Sequence, residues 1–255
     1  MDGVTVRFDG LTALDDVSFQ ARIGEVVGLI GPNGAGKTTL FNVICGFVRA
    51  DDGAIVWGGH PLSGVRPHKL ASLGVGRTLQ GVRLFPRLTA LENVMVGAGP
   101  LRRPRVFASL LGLPAADRAE RDLRDEALRA LEALEVARIA DEPATSLPYP
   151  VQKRVALARA LVARPALLLL DEPAGGLGAD EVGELGRTIR ELGGSMTVLL
   201  VEHRMDLVMA ICDHVVVLDS GRVIADGPPS EVGADPAVLE AYLGSEEAED
   251  EARDA

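Results

Sequence analysis

Apolar residues fall either in short unbroken runs or at helical spacing, and the two patterns succeed one another. Val26 to Ile30 form one run, followed by a glycine-rich turn and by Leu40, Val43 and Ile44 at helical intervals. That succession predicts a buried strand, a loop and a helix. Four leucines before Asp171 and the stretch Thr197 to Val201 are further runs of this kind, as expected of strands in a parallel sheet covered on both faces. "GAIVWGG", Gly53 to Gly59, predicts a strand bounded by glycines. Leu123, Ala127, Ala130, Leu131 and Leu134 mark one stripe of a helix, with the charges of "DRAERDLRDEALRALEALE" on its other face. In "LPYPVQKRVALARAL", Leu147 to Leu161, the residues Val155, Leu157, Ala158 and Leu161 predict a helix whose N-terminus includes two prolines.

Length and composition narrow the class. The chain has 255 residues, 47% of them hydrophobic, enough for one large domain or a core with a lobe. Its net charge is −11, but the last ten residues, "EEAEDEARDA", hold six acids and one arginine, so −5 belongs to a tail expected to be solvated and disordered. The mildly acidic body argues against nucleic-acid binding as the main activity. Cys45 and Cys212 match no metal-binding spacing and are expected to be reduced, semi-buried small hydrophobes of a cytosolic protein. The opening "MDGVTVRF" lacks the apolar core of a signal peptide, and no stretch reaches the roughly 18 apolar residues of a membrane span. If a membrane matters, a partner supplies it. Only 3 of the 26 basic residues are lysines, and one is Lys37.

Lys37 stands in "VVGLIGPNGAGKTTLFNVI", which carries G-x-x-x-x-G-K-[ST] from Gly31 to Thr38 between a strand and a helix. Gly34 and Gly36 let successive N–H groups turn toward phosphate oxygens, and the helix adds its positive end. Lys37 is expected to reach the β- and γ-phosphates of ATP, and the Thr38 hydroxyl to ligate Mg2+. "ALLLLDEPAGGLG", Ala166 to Gly178, supplies the acidic counterpart. Asp171 is expected to hold Mg2+ through water, and Glu172 to polarise the attacking water as general base. His203 follows the strand Thr197 to Val201 at the sheet edge where ligands bind, although a lone histidine is more often structural or exposed.

These motifs, with "RTLQGVRLF", "GGLG" and "VEH", resemble in order and spacing the ATP-binding subunit of an ABC transporter over nearly the whole chain. The resemblance implies that Gln80 touches Mg2+ or the attacking water and senses the membrane partner, and that His203 holds the γ-phosphate. It implies that Phe8 stacks on adenine, and that Gly31, Pro32, Asn33, Gly34, Ala35, Gly36, Lys37, Thr38 and Thr39 bind ATP. Within the superfamily, "VGRTLQGVRLFPRLTALENV", "LPY" and "DPAVLEAYLG" resemble the branched-chain amino acid importer ATPases most. The solute is inherited by analogy, since the sequence alone reveals no solute pocket.

The implied architecture is α/β: a P-loop NTPase core with a mostly parallel sheet, a small antiparallel β subdomain and an α-helical lobe. The ABC ATPase domain is expected over 1–245, with the nucleotide core at about 1–79 and 164–245, the lobe at about 80–163 and the acidic tail at 246–255. The segment Gln80 to Leu91, with Arg83, Phe85 and Pro86, is the candidate groove for a short helix of integral-membrane permease subunits. The resemblance further implies an extracytoplasmic solute-binding protein in the system and a peripheral position on the cytoplasmic face of the membrane. An exporter ATPase of the lipopolysaccharide type is the alternative, and a soluble ABC ATPase a remoter one, since neither a second cassette nor sustained heptads occur.

The family's signature segment is usually LSGGQ, and in the importer branch often LPYGQQ. Here Leu147, Pro148 and Tyr149 are ordinary for the branch, but Pro150 and Val151 stand where a glycine and a glutamine are expected, before Gln152. By resemblance this helix aims at the γ-phosphate on the opposite subunit, and proline offers no N–H to an anion. The expectation is a second, different ATPase subunit with an intact signature, unless Tyr149 and Gln152 re-aim enough donors or the chain is a weak ATPase.

Overall fold

The computed structural model describes residues 1–78, 81–98 and 114–242, so Gln80 and the 246–255 tail lie outside the described residues. In chain order the elements are β1 (Asp2–Phe8), β2 (Leu11–Val17), β3 (Val26–Ile30), α1 (Lys37–Ile44), β4 (Asp52–Ala54), β5 (Val56–Trp57), β6 (His60–Pro61) and β7 (Val75–Arg77). There follow α2 (Ala90–Gly97), α3 (Pro114–Glu132), α4 (Tyr149–Leu161), β8 (Leu167–Asp171), α5 (Ala179–Gly193), β9 (Thr197–Val201), α6 (Met205–Ile211), β10 (His214–Asp219), β11 (Arg222–Gly227) and α7 (Pro229–Val232). The chain divides into two compact units, one of Met1–Leu70 with Glu172 onward and one of Ala71–Asp171.

In the first unit β3 lies between β9 and β10, parallel to both, and β11 closes on β10 antiparallel. Every residue of β3 and β9 is buried, which is why these strands read as unbroken apolar runs instead of alternating. The sheet directs Ile30 into the glycine loop and Val201 toward His203. A small antiparallel sheet, β2-β1-β4, accompanies it. The segment 53–59 departs from the single strand expected. β4 pairs with β1, whereas β5 pairs with β6 across Gly58 and Gly59, at φ 54° and 81°. Between them buried Ile55 donates its N–H to Ser63 Oγ at 3.2 Å, which ends one pairing and begins the other. Cys45 and Cys212 are buried outright rather than half-buried, and burial pushes the Cys212 thiol up to about 12.

In the second unit β7 and β8 pair in parallel, and α2, α3 and α4 pack on one another. The lobe expected over 80–163 falls inside this unit, which also takes in β7 and β8. Ala127, Leu131 and Leu134 of the predicted stripe are buried. At the start of α2, Thr89 Oγ1 accepts the Glu92 N–H at 3.2 Å and Glu92 accepts the Thr89 N–H at 2.8 Å, a reciprocal cap. Helix α4 starts as its sequence predicts, with Pro148 at the N-cap and Pro150 in the first turn.

Candidate active site

The first unit holds a cleft of about 560 Å³ walled by Asn33 to Thr39, Phe8, Leu11 to Ala13, Glu172, Ser220 and Gly221. It brings together most of the predicted nucleotide residues of this unit. Gly36 has φ 100°, and a Cβ there would lie 2.7 Å from the Ala13 carbonyl oxygen, so only glycine fits where α1 begins. At Gly34, φ 81°, a Cβ would meet nothing within 4 Å, which leaves that backbone open for close approach. Lys37 donates to Gly31 O at 2.7 Å and Pro32 O at 2.8 Å, so its ammonium is held across the mouth of its own loop. Burial lowers its pKa, and the nearby Glu172 carboxylate opposes that shift.

Glu172 occupies the left-handed region at φ 46°, unusual for a side chain with a Cβ. Its N–H donates to Val201 O at 2.9 Å, and its carbonyl accepts the Gly175 N–H at 3.2 Å. The tight turn fixes where the carboxyl enters the cleft. His203 follows β9 with a side chain 60% exposed, and it does not line the cleft. Phe8, 46% exposed, faces Leu11, 69% exposed, across the turn Asp9-Gly10, and together they form an apolar edge suited to a flat base. Leu11, Ser220 and Gly221 are wall residues that the sequence did not single out. The signals present are turn dipeptides, Asp9-Gly10 between β1 and β2 and Ser220-Gly221 between β10 and β11. The second turn braces the loop directly, since Gly221 N donates to Ala35 O at 3.1 Å.

The second unit carries Asp171 at the end of β8, 9% exposed, with Arg77 Nη2 3.4 Å from its Oδ2. The expected docking segment is described from Gly81 onward. Asn93, fully buried, accepts the Phe85 N–H at 2.7 Å and donates to the carbonyls of Phe85, Leu88 and Thr89 at 3.2, 3.3 and 2.9 Å. From α4, Arg159 donates to Arg83 O at 2.9 Å and Val82 O at 3.2 Å. The loop is thereby tied to two helices while Phe85 stays 49% exposed. Asn93→Ala leaves the Phe85 N–H without this acceptor, whereas the carbonyls of Phe85, Leu88 and Thr89 keep the backbone N–H groups of Leu88, Ala144 and Asn93, so the expected loss of unfolding free energy is about 1–3 kcal/mol. A urea melt should show it as a lower midpoint, the shift multiplied by the slope m giving that free energy.

Comparison with known proteins accounts for this arrangement. A family model described as ABC transporter matches residues 14–175, and one described as branched-chain amino acid ATP-binding cassette transporter matches 222–248. The chain is 42% identical to the high-affinity branched-chain amino acid transport ATP-binding protein BraF of Pseudomonas aeruginosa, over 96% of each chain. It is 40% identical to the corresponding LivG protein of Escherichia coli, again over 96% of each. Among solved structures it resembles the ADP conformation of MJ1267, an ATP-binding cassette of an ABC transporter, with TM-score 0.82 and 32% identity over 95% of this chain and 97% of that one. It also resembles a dimeric post-hydrolysis state of the cassette MJ0796 bound to ADP and Pi, with TM-score 0.74 and 25% identity over 89% and 97%. Glycine loop, Lys37 and Glu172 around one cleft, in a chain matching such cassettes over nearly its whole length, place this protein in the ABC transporter family as an ATP-binding cassette.

Proposed function

We propose that the chain hydrolyses ATP to energise import of branched-chain amino acids through separate permease subunits. The observation that carries the reading is the similarity to BraF and LivG along nearly the full length of both chains. The match over 222–248 supports the same branch at the C-terminal end and favours it over the exporter alternative. The chain is proposed to sit as a peripheral subunit on the cytoplasmic face, supplied by an extracytoplasmic solute-binding protein. Among the described residues no helix is long and apolar enough to cross a membrane, and the loop carrying exposed Phe85 offers a contact for a permease.

In the cleft, the N–H groups around Gly34 and Gly36 take the phosphates, Lys37 neutralises the β- and γ-oxygens, and Phe8 with Leu11 receives the base. Glu172 accepts the proton of the attacking water. Mg2+ is the proposed ion, and Thr38, which lines the cleft, offers it a hydroxyl oxygen. Much of its shell would come from phosphate and water, and Thr38, Asp171 and Gln80 are the residues proposed to hold it. It would screen charge on the transferred phosphoryl group. His203 is assigned to the γ-phosphate.

The test is co-expression with the permeases and solute-binding protein, followed by uptake of labelled leucine into vesicles loaded with ATP. Uptake dependent on this subunit is expected, and transport of an unrelated solute alone would refute the importer reading. Phe85→Glu should reduce recovery of the chain in the membrane fraction by about tenfold while ATP binding is unchanged. Full recovery would place the contact elsewhere.

A further inference from the structure

The geometry points to Glu202 as a positioning residue for hydrolysis, one buried carboxylate that fixes both the Glu172 turn and the His203 backbone. Glu202 lies one residue beyond β9 and is 0% exposed. One carboxylate oxygen accepts the Ala174 N–H at 2.7 Å, and the other accepts the His203 N–H at 3.2 Å. The His203 ring is close as well, its Nδ1 3.9 Å from the same oxygen. The backbone N–H of Glu202 donates to Leu29 O at 3.3 Å, on the strand that runs into the glycine loop. Three segments, the Glu172 turn, the start of the His203 loop and the strand before the glycine loop, thus meet at one residue.

A buried carboxylate is costly unless it is hydrogen-bonded, and a neutral polar or apolar residue would fill the place with less expense if packing were the only need. What a carboxylate provides, and an amide does not, is acceptance on both oxygens at once. Both donors are backbone N–H groups of segments that carry reaction chemistry. Ala174 lies two residues beyond Glu172, whose φ of 46° survives only if the surrounding turn is held. His203 is fixed at its backbone, so that its exposed ring moves about a set point. Glu202 touches neither substrate nor metal in this reading. It sets the distance at which Glu172 and His203 meet the γ-phosphate, a quantity on which rate depends steeply.

The inference rests on the ATPase reading, and Glu202→Gln separates the two. The variant keeps the volume and one acceptor, but its amide nitrogen must confront the Ala174 or the His203 N–H. With the purified full-length chain, turnover of Mg-ATP should fall about tenfold, the affinity for Mg-ATP should stay within about twofold, and added Mg-ATP should raise the melting midpoint as in the wild type. In a His203→Ala background the same change should slow hydrolysis by less than about twofold, because both act through one arrangement. Turnover near wild type, an affinity that falls in step with turnover, or full additivity with His203→Ala would each overturn the inference. If Glu202→Gln does not fold, Glu202→Asp, one methylene too short to reach both donors, is held to the same criteria. A wild-type chain without hydrolysis, alone or with its partner subunits, would sink the ATPase reading itself, and this inference with it.

Discussion

Glu172→Gln is expected to bind Mg-ATP with near-normal affinity and to hydrolyse it about 10²–10⁴ times more slowly, the usual contribution of a well-placed general base. The groups proposed to hold the phosphates lie on the glycine loop and α1, and the substitution replaces none of them. Gln keeps the shape of Glu and the backbone bonds that fix it, to Val201 O at 2.9 Å and from Gly175 N at 3.2 Å. It removes the capacity to take a proton. It also removes the charge that opposes the lowering of the Lys37 pKa by burial, so the Lys37 pKa should fall further in the variant. Lys37 loses no hydrogen bond, since its partners are the Gly31 and Pro32 carbonyls. Equilibrium binding of a fluorescent ATP analogue beside steady-state phosphate release decides the matter. Unchanged turnover would remove Glu172 from the mechanism, and lost binding would recast it as a nucleotide ligand.

Where a residue's role depends on local spacing, the chain announced it. Val26–Ile30 and Thr197–Val201 are strands within the limits expected, because a strand covered on both faces reads as a near-continuous apolar run, with buried Thr197 the one polar residue of the two. Long-range pairings were less legible. The segment 53–59 carries a single apolar pattern, yet Ile55 turns inward and hands the chain from β1 to β6. Phe8 is indicated only by family resemblance, and Leu11 by nothing in the sequence, since their common edge exists only once β1 and β2 pair around Asp9-Gly10. Glu202 is the more instructive omission. An acid directly after an apolar strand is telling at Asp171 and Glu172, where a glycine loop elsewhere gives it meaning. At Val201-Glu202 the same pattern is masked by the histidine beside it. What separates Glu202 from Glu172 is burial, which sequence does not print: Glu202 is 0% exposed and Glu172 lines the cleft, while Asp171 is buried as well.

Restoring the signature, by Pro150→Gly together with Val151→Gln, is expected to raise ATP hydrolysis by the isolated chain about ten- to over a hundredfold. The proposal behind it is that this chain works opposite a different ATPase subunit, giving two unequal ATP sites. In such a pair each site would combine one subunit's glycine loop with the other's signature helix; the similar cassette MJ0796 is dimeric. Pro150 then leaves the site built on this chain's own Lys37 and Glu172 intact and weakens the partner's. The first turn of α4 has few donors to offer an anion. Pro150 has no N–H, the Gln152 N–H turns back to Pro148 O at 3.0 Å, and the Gln152 side-chain nitrogen donates to Leu147 O at 2.8 Å. Gln152 therefore does not supply the missing contact in this conformation. Tyr149, 42% exposed, and the Lys153 ammonium 5.5 Å from its ring remain as competing sources of attraction. A backbone donor to a charged oxygen is worth about 1.5–3 kcal/mol, which sets the expected range. A homodimer carries the defect at both sites, and the pair at only one. The wild-type pair should accordingly show one fast site, abolished by Glu172→Gln in this chain. Rapid, cooperative hydrolysis by the unmodified chain alone would refute the unequal pair, because a helix lacking that donor would then be serving both sites without loss.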